Sequence, residues 1–498
     1  MTVKDSTHRD FESSYRRIFR STGLMGAVQV LTMLAAVVRG KAAATFIKSA
    51  GLAVNDLYSR NIALIGSVTN LGLGFSAVQR LAELHDKGED EATADFACTV
   101  RTWVMLTAVV GLLAGLVFSP VLSLFMTGGY KETWHFCLLA PVVAFTTLMG
   151  GEIAVLKGLH ELRRLAVATA LTAVATLLFA VPLYMWLGFR AIIPVLFLST
   201  FASMAIHLVV TNKPMPYRLC RINRVFLKAG IPLLRLGVAY VLAGVVATAA
   251  ELIIRTALKQ QMHSWDELGL YAAGFTLIVS YARIVFVAMD ADFYPRLSAA
   301  ARDKERTRTL ISRQTNVLVM LMTPLLILFA LSLPVLIPLL LTTEFLPVIP
   351  MVVCGLAYMF FKAVYTPAAY LSLANADSTV FLVMETAYNL VLIACVLAGY
   401  AIGELTGAGI GLSAANLFDM LAIALFYRHR YGLRYDSATL HFCAFQFLLL
   451  MAGLAACLII PQIAPRAALC LVAVALSGCG SLLLIRRQKI QKIQSTAK

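Results

Sequence analysis

The chain has 498 residues, of which 60% are hydrophobic and only 14% are charged, and its formal net charge is +16. Soluble globular proteins carry roughly 45–50% apolar and about 25% charged residues, so this composition excludes an ordinary water-soluble protein. Apolar runs of about twenty residues recur along the whole chain, which predicts helices embedded in a lipid bilayer.

Runs long enough to cross a bilayer, which takes about 20 residues in a helix, predict about fourteen transmembrane helices. The first run begins near Thr22 and has no small-residue cleavage site behind it, so we expect a first spanning helix and not a removed signal peptide. The predicted spans in chain order are 22–47, 61–82, 101–126, 134–156, 165–187, 191–211, 229–254, 268–294, 315–341, 346–373, 378–400, 406–427, 441–461 and 466–485.

The distribution of basic residues predicts that both chain ends face the cytoplasm. With the N-terminus inside, and with residues at the ends of spans counted with the adjoining loop, 30 of the 42 Lys and Arg residues fall on the inner side, 7 on the outer side and 5 deeper within predicted spans. An excess of Lys and Arg in cytoplasmic loops is the usual pattern of membrane proteins. This excess also accounts for the net charge of +16 without a nucleic acid partner.

The second and eighth predicted spans resemble each other. Each begins near a tyrosine, Tyr58 or Tyr271, and ends at an Arg-Leu pair that starts at Arg80 or Arg296. A charged inner loop follows in both cases, and the offset between the two copies corresponds to six helices. Related halves occur in many alternating-access transporters. The alternative is a chance similarity between apolar helices.

The repeat predicts the organisation of the whole chain. We expect an all-α integral membrane protein with two pseudo-symmetric six-helix lobes and two additional C-terminal helices. The predicted parts are an N-terminal lobe at 1–212, a basic cytoplasmic linker at 213–228, a C-terminal lobe at 229–428, and the two extra helices with a basic tail at 429–498.

Basic side chains are unusually frequent within the predicted spans. Arg235, Arg283 and Lys362 lie in the inner halves of their spans, and Arg39 lies in the first span. A charge at mid-bilayer costs roughly 2.5–3.5 kcal/mol on insertion scales, so such residues usually face a cavity or a partner. The guanidinium group presents a planar fork that matches phosphate oxygens. The four residues are therefore candidates for binding a pyrophosphate headgroup, and an ion pair with a neighbouring acid is the alternative for Lys362.

Acidic residues also lie within predicted spans, among them Glu152. Glu251 and Arg255 are four residues apart, which predicts an ion pair on one helix face. Glu385 and Asp419 each share a helix face with an asparagine. We interpret Glu385 and Asp419 as candidates either for binding a coupling ion or for pairing with the interior basic residues.

Several classes of protein are disfavoured by missing motifs. The nine cysteines lie mostly within or beside apolar runs, without a CxxC pair or a Cys/His metal spacing, so we expect buried free thiols and no metal site. No G-x-x-x-x-G-K-[ST] motif occurs, so the sequence predicts neither an ATP-driven transporter nor a cofactor. The short predicted outer loops argue against a membrane-embedded glycan polymerase or ligase, and we expect a protein that is not an enzyme.

Four segments point to a known family. They are VVRGKAAATFI, NLGLGFSAVQRLAEL, YAAGFTLIVSYARIVFVAMDADFYPRLSA and ISRQTNVLVMLMTPLL. Their order and spacing resemble the Wzx-type polysaccharide flippases, which move O-antigen and other lipid-linked oligosaccharides. These belong to the MOP superfamily, which also contains the lipid II flippases and the MATE drug antiporters.

The resemblance implies a bacterial inner-membrane protein that moves undecaprenyl-pyrophosphate-linked oligosaccharide repeat units to the outer leaflet by alternating access. It implies a cationic cavity to which Arg283 and Arg39 contribute, because both fall in matching segments. The expected partners are this lipid-linked substrate, the lipid bilayer, H+ or Na+ as a coupling ion, and polysaccharide assembly proteins. A MATE-like multidrug antiporter is the alternative, disfavoured by the helix number and by the basic interior.

Overall fold

The structure, a computed structural model, describes residues 27–69, 73–221, 224–262, 264–300, 303–375 and 377–496. Regular structure in these ranges is helical throughout, without a β-strand, which confirms the predicted all-α class. The apolar sequence gives the physical reason. In lipid every backbone N–H and C=O must be paired within the protein, and a helix pairs them within a single segment.

Fifteen α-helices are described, and two short 3-10 helices adjoin α7 and α11. The helices are α1 (Ala27–Phe46), α2 (Lys48–Thr69), α3 (Leu73–Asp86), α4 (Asp90–Thr127), α5 (Thr133–Gly158), α6 (Leu162–Leu187), α7 (Ile192–Asn212), α8 (Arg224–Gln261), α9 (Trp265–Ala300), α10 (Lys304–Leu340), α11 (Ile349–Gly355), α12 (Ala357–Ala374), α13 (Ser378–Arg430), α14 (Ser437–Ile459) and α15 (Ile463–Thr496).

Each of the fourteen predicted spans falls on helical structure, although the helices do not correspond to the spans one to one. Within the described ranges, 10 segments are long and apolar enough to cross a membrane. Two of these segments, Leu162–Asn212 and Ser378–Arg430, each hold two predicted spans. A 3-10 turn separates the pair in the first segment, and non-helical backbone at Gly403 and Glu404 separates the pair in the second. The two remaining predicted spans fall on α2–α3 and on α9.

The structure differs from the sequence-based boundaries most clearly at the second span. The segment 48–60 was expected to be an outer loop, but α2 begins at Lys48. Hydropathy marks only the part of a helix that lies in lipid, and a helix can continue past it with polar residues such as Asp56. The break between α1 and α2 is local, since Lys48 has a positive φ of 58°.

The described helices form two compact units that divide between Thr248 and Ala249, within α8. In the first unit α5 packs against α4 and α7, and α6 packs against α7. In the second unit α11 and α12 pack against α13, and α10 packs against α14 and α15. The lobe and linker boundaries at 212, 228 and 428 stay predictions.

Close packing in the second unit depends on glycine and serine. A Cβ atom on Gly409 of α13 would collide with the backbone carbonyl of Met351 in α11, so only glycine allows this approach. At the break between α11 and α12, the Ser413 hydroxyl donates to the Cys354 carbonyl at 2.7 Å and accepts from the Tyr358 N–H at 3.1 Å. These contacts fix α12 against α13.

Candidate functional site

Lys362 lies on α12 with its ammonium group beside two aromatic rings. Its Nζ is 6.0 Å from the ring centre of Phe286 on α9 and 5.7 Å from that of Tyr358. Attraction between a cation and an aromatic face stabilises a partly desolvated ammonium group. The side chain is half-buried and forms no ion pair in the part of the chain that the structure describes. The predicted alternative of a direct ion pair for Lys362 therefore has no counterpart among the described residues.

Glu385 and Asp419 lie near Lys362, on the two halves of α13. Both carboxylates interact electrostatically with the Lys362 ammonium group, and they also interact with each other. Asp419 is only 8% exposed, and its carboxylate interacts with the Tyr365 hydroxyl. The fold thus brings three of the predicted site residues together within the second unit.

A hydrogen-bonded network of tyrosines and an asparagine supports this charged cluster. The Tyr365 hydroxyl donates to Asn416 Oδ1 at 3.1 Å, and Asn416 Nδ2 donates to the Tyr388 hydroxyl at 3.2 Å. Tyr388 in turn hydrogen-bonds Tyr358, whose ring faces Lys362. Buried polar networks hold their members in one arrangement when each polar group is satisfied. The network therefore fixes both the carboxylate of Asp419 and the aromatic wall around Lys362.

Sequence reasoning missed these tyrosines. It selected charged residues within spans, and Tyr358, Tyr365 and Tyr388 are ordinary constituents of apolar helices. The polar pairs expected from helical spacing also have other partners. Asn389 Nδ2 donates to the backbone carbonyl of Glu385 at 2.7 Å, and Asn416 is hydrogen-bonded to the tyrosines.

The remaining predicted site residues are distributed over other helices. Arg39 lies on α1 in the first unit, is exposed, and interacts electrostatically with Tyr184 of α6. The side chains of Arg235 and Arg283 lie outside the described residues, although their helices α8 and α9 are described. Arg283 precedes Phe286 by three positions on α9, which is less than one helical turn.

The first unit contains a different charged site, which is completely paired. Arg101 of α4 and Glu152 of α5 are each 2% exposed and form a bidentate ion pair. The distances are 2.9 Å from Arg101 Nε to Glu152 Oε1 and 2.8 Å from Nη2 to Oε2. Arg101 is the first residue of the predicted span 101–126 and is counted among the inner basic residues that indicate topology. In the structure it neutralises Glu152, so this acid is not available to a basic residue elsewhere.

Two other expectations have clear outcomes. The predicted pair of Glu251 and Arg255 is confirmed, with 3.7 Å between Glu251 Oε2 and Arg255 Nη1. The expectation that the cysteines are free thiols is wrong for Cys98 and Cys220, which form a disulfide. Sequence spacing could not reveal it, because the two residues are 122 positions apart. In the described ranges no group of three or more His, Cys, Asp or Glu side chains is placed to hold a metal ion.

The second-unit cluster has properties suited to an anion or to a coupling ion. Lys362 offers three N–H donors and a positive charge that no described carboxylate neutralises at contact distance. Glu385 and Asp419 offer carboxylate oxygens that an H+ or Na+ ion can bind. Because the charges interact, occupation of the acids by a cation would strengthen the attraction of Lys362 for an anion.

A family profile matches more than half of the chain. It is described as polysaccharide biosynthesis protein, and the match covers residues 62–350. No curated protein matches the chain in sequence.

Solved structures share the fold at low sequence identity. An inward-facing multidrug resistance MATE family transporter of the MOP superfamily has a TM-score of 0.67 and 13% identity, over 80% of this chain and 94% of that one. Lipid II flippase MurJ, in an inward closed conformation, has a TM-score of 0.65 and 12% identity, over 94% and 99%. A MOP superfamily transporter from Pyrococcus furiosus, whose binding pocket has reverse polarity, has a TM-score of 0.59 and 14% identity, over 83% and 95%. These matches show that the chain shares its fold with these three proteins.

Proposed function

Because the chain belongs to the family of polysaccharide biosynthesis proteins, we propose that it is a flippase for undecaprenyl-pyrophosphate-linked oligosaccharide repeat units. It would move them from the inner to the outer leaflet of the bacterial inner membrane. Its fold is shared with lipid II flippase MurJ over 94% of the chain, which supports a lipid-linked cargo. The reverse polarity of the binding pocket in the Pyrococcus furiosus transporter suggests a different function of that protein, so proteins with this fold differ in pocket polarity.

The substrate proposal depends on the surroundings of the Lys362 ammonium group. A pyrophosphate is an anion with several strong acceptor oxygens, and a cationic donor within a membrane protein is a suitable partner for it. The Lys362 ammonium group is half-buried beside Phe286 and Tyr358 and has no described ion-pair partner. A transporter of organic cations would gain nothing from such a group, because like charges repel.

Three arginines are further candidates for binding phosphate oxygens. Arg283 precedes the Lys362 contact Phe286 on α9 by three positions, and Arg235 and Arg39 lie within predicted spans of α8 and α1. We assign them the same role as Lys362, because guanidinium groups bind phosphate oxygens bidentately. The glycan would occupy hydrated space, and the polyprenyl tail would stay in lipid.

Transport would proceed by alternating access and without chemical conversion of the substrate. Glu385 and Asp419 would take up the coupling ion, H+ or Na+, because both carboxylates interact electrostatically with Lys362. The predicted excess of inner Lys and Arg supports a cytoplasmic location for both chain ends. Polysaccharide assembly proteins would supply the repeat unit on one side and consume it on the other.

A flip assay in liposomes tests the proposal. Purified full-length protein is reconstituted with fluorescent undecaprenyl-pyrophosphate oligosaccharide, and quenching from each side reports its leaflet over time, with and without an ion gradient. We expect protein-dependent movement. A lost charge-assisted hydrogen bond costs about 1.5–3 kcal/mol, so Lys362→Ala should weaken substrate affinity roughly ten- to hundredfold.

Matched variants make the assay specific. Lys362→Arg keeps the charge and should retain most of the activity, while Lys259→Ala removes a lysine that instead contacts Trp265 at 4.6 Å and should behave like wild type. Arg283→Ala, Arg235→Ala and Arg39→Ala test the other assignments. Wild-type movement by Lys362→Ala would refute its role. Failure to move the lipid, together with gradient-driven export of cationic dyes, would favour a MATE-like antiporter.

A further inference from the structure

The segment that follows α7 is held against the N-terminal end of α4. The guanidinium group of Arg101 donates to the backbone carbonyls of Met215 and Pro216 at 3.1 and 2.8 Å, through Nη1. The same guanidinium carbon lies 4.9 Å from the ring centre of Tyr217. Because Arg101 is itself fixed by Glu152, these carbonyls are attached to the core of the first unit.

Two cysteines extend this attachment by a covalent bond. Cys98 of α4 and Cys220 form a disulfide with 5.6 Å between their Cα atoms. The N–H of Cys220 also donates to the Thr102 hydroxyl at 2.9 Å, one turn further along α4. The contacts at Met215, Pro216 and Tyr217 do not involve the sulfur atoms, so we expect them to keep the two cysteines close together when the disulfide is reduced.

Solvent exposure and cellular compartment determine whether Cys98 and Cys220 are present as thiols or as a disulfide. Both cysteines are half-exposed, so small molecules can reach them. The predicted topology places the N-terminal part of α4, which contains Cys98, and the linker 213–228 in the cytoplasm, where thiols are kept reduced. The disulfide between Cys98 and Cys220 would therefore form in the cytoplasm only under oxidising conditions.

We propose that Cys98 and Cys220 are a reversible redox site at which peroxide oxidation fixes the linker to α4 and slows transport. The inference rests on the flippase function and on the inner location of the linker proposed above. Cys220 lies four positions before the start of α8 at Arg224, and α8 continues into the second unit. A covalent bond at Cys220 therefore restricts the chain just before α8, the helix within which the two units divide.

The chemistry balances with hydrogen peroxide as the oxidant. The thiolate of one cysteine attacks a peroxide oxygen and breaks the O–O bond, giving a sulfenic acid and, after protonation, water. The thiol of the other cysteine attacks the sulfenic sulfur, the S–S bond forms, and a second water leaves. Two thiols lose two electrons in total and one peroxide gains them. A small dithiol reverses the reaction by thiol–disulfide exchange.

The first experiment measures bond formation and linker mobility in the full-length protein. Reduced protein in liposomes is treated with hydrogen peroxide, blocked with a maleimide, and digested for mass spectrometry. We expect a cross-linked peptide containing Cys98 and Cys220 that disappears after dithiol treatment and in Cys98→Ser. Trypsin cleavage at the exposed Arg218, followed on reducing gels, should slow at least fivefold on oxidation, while cleavage at the exposed Arg434 stays constant as an internal control.

The second experiment measures flipping by the same samples. Oxidation should slow wild-type flipping at least fivefold, dithiol should restore it, and the Cys98→Ser/Cys220→Ser protein should not respond. Each of three results would overturn the redox proposal: no cross-linked peptide forms, the rate of cleavage at Arg218 does not change on oxidation, or the flipping rate stays the same although the cross-link forms. If reduced protein moves no lipid at all, the proposed function fails, and the cleavage rates still decide whether the redox site exists.

Discussion

Replacing Glu152 by glutamine should destabilise the first unit strongly. The carboxylate makes two bonds to Arg101, of 2.9 and 2.8 Å, and both residues are only 2% exposed. The Glu152→Gln change removes the negative charge while it keeps the size of the side chain and one acceptor oxygen. The guanidinium group of Arg101 is then buried without a counterion.

The contacts of Arg101 determine the size of the effect. Breaking a buried ion pair by removing one partner costs about 3–5 kcal/mol. We expect the lower value of about 3 kcal/mol, because the carbonyls of Met215 and Pro216 still accept from Arg101. At roughly 2–4 °C per kcal/mol for a domain of this size, the melting temperature should fall by about 6–12 °C.

The assay is the temperature at which half of the detergent-solubilised protein remains monodisperse in size-exclusion chromatography. The double variant Arg101→Met/Glu152→Leu should recover at least half of the loss, because replacing both partners by apolar groups removes the uncompensated charge. Arg80→Gln is the matched control. Arg80 pairs with Glu83 at 2.7 Å but is 49% exposed, so its loss should leave the melting temperature unchanged.

Two results would refute this reasoning. A Glu152→Gln protein that melts within about 2 °C of wild type would show that water or another donor replaces the carboxylate. An Arg101→Met/Glu152→Leu protein that is less stable than Glu152→Gln would show that packing of the two side chains, not their charge, stabilises this part of the first unit.

Two further outcomes follow from the second unit. Gly409→Ala should lower the melting temperature by several degrees because its Cβ collides with backbone, whereas Gly150→Ala, with open space around it, should not. Against the opposing effect of burial, a backbone N–H at the start of α13, the Tyr431 hydroxyl and the Arg430 guanidinium lower the pKa of Asp377 from its ordinary 3.8. The ionised carboxylate therefore stabilises the fold fully above the ordinary pKa, and this stabilisation is lost as pH falls through the lower pKa of the folded protein. The difference in melting temperature between wild type and Asp377→Asn should narrow below about pH 4. A difference that widened there would contradict the assignment.

The sequence by itself determined the fold class and the approximate spans. Both depend on local sums of hydropathy and on the obligation of the backbone to pair with itself in lipid, and neither needs knowledge of distant contacts. The i,i+4 pair of Glu251 and Arg255 was predictable for the same reason, because helical spacing alone brings the two side chains together.

Only the tertiary structure decided which charges meet. Arg101 and Glu152 are 51 residues apart, and the Lys362 cluster joins three helices through Phe286 and Asp419. Lipid and protein interior are both apolar, so a transmembrane helix carries little periodicity to mark its inward face. The rotation of each helix about its axis, and with it every long-range pairing, is set by packing against neighbours such as the close approach at Gly409.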